Sequence, residues 1–218
     1  MLSFYLLEKI IKLAIKKKEF IFIIFILFYL SSPSISVTNN VLVTIDNSII
    51  TELDLKKEIE FIKFINKSQI DENSDKVRKD IIENLIDKKI KKIVIDNAKI
   101  EITDKEIENY TYNYLASNKI NYEILNTFFT SKQIEKDYLK NIIIIEIGWI
   151  KLIRKMYESK ININLTEINE EIKKESKNAE DIEKLKNQKV DLEKSKVLNK
   201  FAVTHLEKSK KKYLIKFL

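Results

Sequence analysis

The sequence has no cysteine, and only one glycine (Gly148), one proline (Pro33), one histidine (His205) and one tryptophan (Trp149). Without cysteine, disulfides, thiolate catalysis and cysteine-based metal sites are excluded, while no redox compartment is chosen. One glycine rules out a P-loop and a dinucleotide fingerprint, both of which need several to bring backbone close to phosphate. One histidine rules out multi-histidine metal centres and the usual nucleophilic triads. Tight turns and hairpin-rich β folds draw heavily on glycine and proline, so their scarcity favours long helices punctuated by Asn, Ser and Asp.

What is present agrees with this. The chain has 218 residues, 33% charged and 44% hydrophobic, a balance suited to amphipathic helices. The formal charge of +7 invites comparison with nucleic-acid binders. Residues 1–36 carry five lysines and two glutamates, so they hold +3 of that charge and leave +4 for the rest. In that remainder acids and bases alternate, as on a solvated helical surface, and no nucleic-acid partner is expected. Lys208 and Lys210 to Lys212 form a basic run, read as solvated surface with anionic contact as the lesser reading.

Lys16, Lys17 and Lys18 precede an unbroken apolar run from Phe20 to Leu30, and Ser34 and Ser36 follow at positions suited to cleavage. This predicts an export signal over 1–36, cleaved after Ser36, and hence a periplasmic location. The run is short of the roughly 20 apolar residues of a permanent span, so an uncleaved inner-membrane anchor is the alternative. Membrane contact is expected through this segment alone.

Val41 to Ile45 reads as a strand, Asp46-Asn47-Ser48 as a turn, and Ile49-Ile50 as the return of a hairpin. Thr51 opens a helix carrying Leu55, Ile59, Ile62 and Ile65 at helical spacing. After Asn73-Ser74-Asp75, Val77, Ile81, Ile82, Leu85, Ile86, Ile90, Ile93, Val94 and Ala98 draw one stripe. Thr103 and Glu106 form a capping box before a helix bearing Ile107, Tyr110, Tyr114 and Leu115. A turn at 118–121 leads to a short helix over Tyr122 to Phe129. Ser131 is then expected to cap a long helix through Ile134, Tyr138, Ile142, Ile145, Trp149, Leu152, Ile153 and Met156. Ile161 to Ile163 is extended, and Thr166 starts a charged segment. Helical spacing returns from Asp181 to about Lys211 with Ile182, Leu185, Leu192, Val197, Leu198 and Phe201. The apolar end, Tyr213 to Leu218, predicts a strand docked beside the hairpin. The fold class is therefore mostly α, a multi-helix core with a short N-terminal β-hairpin joined by a C-terminal strand.

No catalytic constellation emerges, and His205 reads as an ordinary surface or helix-end residue. The aromatics between 110 and 129 are the better functional candidates. Tyr110 and Tyr114, four apart, are expected to face the core. Tyr112 falls off that stripe. Tyr112, Tyr122 and Phe128 are the candidate contacts for unfolded apolar segments, because amphipathic rings offer area at little entropic cost. Core packing is the competing reading for each. No catalytic residue, metal ligand or cofactor is expected.

Taken together, Val41 to Leu55, Leu85 to Ile90, Ile100 to Ile107, Asn187 to Glu193 and Tyr213 to Phe217 resemble, in order and spacing, the SurA family of periplasmic chaperones. Trp149 lies where that family's long fifth helix often carries an aromatic. The resemblance covers nearly all of 37–218. Family members place one or two parvulin-type isomerase domains before the C-terminal helix, each about 100 residues in size like an ordinary small domain. Here only the short interval from Glu170 to about Asp181 is available, and one His, one Gly and no Cys do not furnish such a site. The resemblance thus implies a single chaperone domain over 37–218, built from segments 41–165 and 180–218. It implies a holdase, without isomerase activity or ATP, that binds unfolded outer-membrane β-barrel proteins. A homodimer would enlarge the cradle and stays open. The competing class is a membrane-anchored helical assembly factor that binds a folded envelope partner.

Overall fold

The computed structural model describes residues 40–67, 69–175 and 179–218. The export signal expected over 1–36 lies outside the described residues. Strands β1 (Val41–Ile45) and β2 (Ser48–Thr51) are followed by α1 (Glu52–Asn66), α2 (Asp75–Asn97), α3 (Asp104–Ser117), α4 (Tyr122–Lys132) and α5 (Tyr138–Tyr157). A 3₁₀ turn (Glu158–Lys160) leads to α6 (Leu165–Glu175), α7 (Ala179–Lys210) and β3 (Ile215–Phe217). The chain is mostly helical with a small antiparallel sheet in the order β2-β1-β3, as the sequence predicts.

The sheet forms around β1 because its alternation buries Val43 and Ile45 completely, together with Ile50 of β2. Ile45 pairs with Ser48 on one side and Ile215 on the other, which fixes both registers. Asp46 makes the turn with φ of 46°, a left-handed conformation that Asp tolerates better than most residues. Its Oδ1 also accepts the Leu214 N–H at 2.9 Å, and its own N–H donates to the Leu214 carbonyl at 3.1 Å. One residue therefore turns the hairpin and fastens the distant C-terminal strand.

Thr51 caps α1 through a reciprocal pair with Asp54: its hydroxyl accepts the Asp54 N–H, and its N–H donates to Asp54 Oδ2 at 2.8 Å. Ser74 caps α2, and Thr103 and Glu106 make the expected capping box on α3. One helix start differs from expectation. Ser131 lies inside α4, where its hydroxyl donates to the Phe128 carbonyl, and α5 begins at Tyr138 instead. Gln133, with φ of 54°, terminates α4, and Ile134 then buries itself in the connecting loop. α6 starts at Leu165, at the head of the charged segment, with Asn164 accepting the Glu167 N–H.

α2 does not carry a single stripe. Ile81 meets Leu55 and Ile59 of α1, Ile86 and Ile90 meet the sheet, and Ile95 joins Trp149, Leu152 and Ile153 of α5. Apolar side chains on several sides suit a central helix. Gly148 permits a close approach of α5 to α2: a Cβ there would lie 2.8 Å from Ile95 Cγ2 and 3.1 Å from Ile102 Cδ1. An aromatic core of Phe61, Phe64, Phe128, Phe129 and Tyr138 ties α1, α4 and the start of α5 together. Beside it, Glu58 is 2% exposed and is held by Lys88 Nζ at 2.5 Å and the Tyr138 hydroxyl at 2.7 Å. Burial, reinforced by the Glu58 charge, pushes the Tyr138 hydroxyl far above its ordinary pKa.

A candidate docking groove between two long helices

α5 is long and rich in apolar residues because it touches α2, α3 and α7 at once. α7 lies against it through a seam of rings. Tyr157 stacks on Phe201 at 4.7 Å, with planes 8° apart, and the His205 ring sits 5.6 Å from Trp149. His205 Nδ1 is 2.8 Å from the Tyr157 hydroxyl. His205, near the end of α7 but half-buried in a helix seam, is therefore not the ordinary surface or helix-end residue read from the sequence. Burial first, then Lys212 and Lys208, hold its pKa below the ordinary histidine value.

Beside this seam the two helices leave a groove of about 480 Å³. Trp149, Ile153, Leu198, Ala202 and Leu206 form its floor, and Ile150 and Val203 its walls. Val203 is 65% exposed and Ile150 is also open to solvent, so the groove presents apolar area that the fold leaves uncovered. Lys91 is tied down at the rim: its ammonium lies 3.6 Å from Glu146 and 5.8 Å from the Trp149 ring centroid. Arg154, also on the rim, is exposed and makes no ion pair among the described residues. A second trough of about 330 Å³ runs between α6 and α7, and its lining is more polar, including Glu167, Glu171 and Glu193. Leu192, Asn199 and Val203 form one exposed stripe of α7 between these hollows. Leu192, assigned by its spacing to the packed face of this helix, is 56% exposed.

The three sequence candidates fall in different environments. Tyr112 of α3 is 69% exposed, and Tyr122 at the start of α4 is exposed next to Ile124. Phe128 is only 9% exposed and stacks face to face on Phe64 with centroids 4.1 Å apart. Its ring belongs to the core, because the face of α4 that carries Leu125, Phe128 and Phe129 closes on α1. Tyr110 and Tyr114 pack against the same core, as expected, and burial raises the pKa of both. None of the three candidates lines the groove between α5 and α7. The signal for the groove was faint: Ile150 and Val203 are apolar residues off the packed stripes of their helices.

Lys208, Lys211 and Lys212 of the basic run are exposed, as expected. Lys210 is not a free surface charge, since it reaches Asp87 at 2.8 Å and lies within 4 Å of Glu83 and Glu207. Among the described residues there is no group of three or more His, Asp or Glu side chains that could hold a metal ion. No described helix is long and apolar enough to cross a membrane. Comparison with protein-family models and with curated proteins finds no match to this sequence.

Proposed function

We propose that the chain is an ATP-independent holding chaperone of the periplasm that shields apolar segments of unfolded outer-membrane β-barrel proteins. The observation that carries this reading is the uncovered apolar wall of the groove, Ile150 and Val203 above the Trp149 floor, set on two helices held together by stacked rings. A rigid frame with exposed apolar area suits holding, because affinity then comes from excluding water and no ordering of the binder is needed. Tyr112 and Tyr122 supply further exposed rings outside the groove. The resemblance of Val41 to Leu55, Leu85 to Ile90, Ile100 to Ile107, Asn187 to Glu193 and Tyr213 to Phe217 to the SurA family supports the same reading, as does the short interval between α6 and α7, too small for an isomerase insert.

A second reading follows from the groove's being preformed between packed helices. A single helix of a folded partner fits such a site, as in other helix-in-groove complexes. That partner would suit a tethered assembly factor. Two measurements separate them. Diluting an unfolded β-barrel protein from urea with the chain present should suppress light scattering at near-stoichiometric ratios without ATP. Undiminished scattering, with the helical circular dichroism intact, would shift the weight to the assembly factor. An N-terminus beginning near Val37 in the exported protein would remove the tether on which that factor depends.

A further inference from the structure

We propose that the groove between α5 and α7 selects extended segments in which two apolar side chains flank an acidic one. This rests on the holding reading and adds a preference to it.

The helices run antiparallel along the seam, since Trp149 meets His205 while Tyr157 meets Phe201. Passing from Ile150 to Arg154 on α5 therefore corresponds to passing from Val203 toward Leu192 on α7. The stretch of α7 between Val203 and Leu192 is about 16 Å long at 1.5 Å per residue. An extended chain puts side chains i, i+2 and i+4 on one face over roughly 13 Å. One outer side chain then reaches Ile150 and Val203 in the groove, the other reaches Leu192 on the α7 stripe where the groove gives way to the second trough, and the middle one falls in the region of Arg154.

Charge decides what that middle residue is. Lys91 is neutralised by Glu146 and lies over the Trp149 ring. Among the described residues, Arg154 is left as the uncompensated charge of the groove rim. A guanidinium is shaped for a carboxylate, which it can hold through two parallel N–H donors. A basic residue at the same place would be repelled, and a neutral one would leave the cation as it is. A second copy of the chain fits poorly. Its own exposed stripe carries Lys196 between Leu192 and Val203, the wrong sign for Arg154, although that lysine bonds Glu193.

Trp149 is the only tryptophan and lies in the groove floor, so the fluorescence of the full chain reads this site directly. The probes are acetylated, amidated peptides of sequence Leu-Ser-Glu-Ser-Leu, and the same peptide with Gln or Lys at the centre. The Glu peptide should shift Trp149 emission and bind about three- to fivefold tighter than the Gln peptide, the worth of one partly exposed ion pair. The Lys peptide should bind most weakly. Arg154→Gln should equalise the Glu and Gln peptides, leave the Gln peptide's affinity unchanged and not disturb folding, because Arg154 is exposed. Equal affinity of the wild type for Glu and Gln peptides, a preference that survives in Arg154→Gln, or an emission blind to all three peptides would each overturn the proposal. Failure of the holding reading looks different: Val203→Asp, an exposed change, would then leave suppression of client aggregation intact. Suppression lost in Val203→Asp together with charge-indifferent peptide binding would overturn the acidic preference alone.

Discussion

Replacing Glu58 by leucine tests how the aromatic core tolerates a buried ion. The carboxylate is almost wholly buried and satisfies two groups at once, Lys88 at 2.5 Å and the Tyr138 hydroxyl at 2.7 Å. Removing it leaves a lysine that retains 19% side-chain exposure and a phenol buried without a partner. Breaking a buried pair by deleting one member costs about 3–5 kcal/mol, because the remaining charge stays desolvated. Lys88 can turn partly to water, so the lower end applies, about 3 kcal/mol for Glu58→Leu. For a domain of this size each kcal/mol moves Tm by roughly 2–4 °C, which gives a drop of about 6–12 °C. The triple change Glu58→Leu, Lys88→Met and Tyr138→Phe removes every polar member and should recover to within about 1 kcal/mol of the wild type. Urea and thermal unfolding of the single, triple and wild-type chains, followed by circular dichroism, give the comparison. A single variant within about 1 kcal/mol of the wild type, or a triple variant no better than the single, would refute the reasoning.

Gly148→Ala sets a gain in helix propensity of about 1 kcal/mol against overpacking of about 1–3 kcal/mol. The clash is with Ile95 Cγ2, a branch close to its backbone, so net destabilisation of about 1 kcal/mol is expected in urea unfolding, and stabilisation would contradict the close α2–α5 approach. Glu106 is held at a pKa of about 2 by Lys151 first, then by the Thr103 N–H and hydroxyl. Its contribution to stability is therefore complete above the unfolded value of 4.5 and is lost as pH falls from there toward 2, a slope that Glu106→Gln should remove. His205 has the opposite charge type. Its lowered folded pKa means that the unfolded chain binds the proton more readily, so the seam's stability is complete above 6.5 and declines as pH falls below it. His205→Phe should abolish that decline, and a persisting decline between pH 6.5 and 5 would place it elsewhere.

Local chemistry made much of the fold legible from sequence. The Thr51 and Thr103 caps and the Ser74 start all lie within three residues of what they bond, so short-range rules reach them. The C-terminal strand was legible because an apolar end needs cover, and the hairpin was the nearest open strand. Where choices depended on tertiary partners, the rules failed. Ser131 has the right chemistry for a cap, but the burial of Ile134 and the left-handed Gln133 decide that the chain turns there. For Phe128 the sequence alone does not decide between surface contact and core packing, because nothing local shows that Phe64 stacks on it. The groove is the extreme case. It arises from the way α5 and α7 meet, with contacts such as Trp149 to His205 that are far apart in sequence.

The most direct test of the holding role is site-specific photocrosslinking to an unfolded β-barrel protein as it is diluted from urea. A photoreactive residue at Val203 or Ile150, both exposed at the groove, should capture the client in good yield. The same probe at Lys79, exposed on α2, should capture little. Adding folded β-barrel protein instead should give no product at any position. Capture at Val203 equal to that at Lys79, or capture of folded protein alone, would contradict a groove that holds unfolded chains.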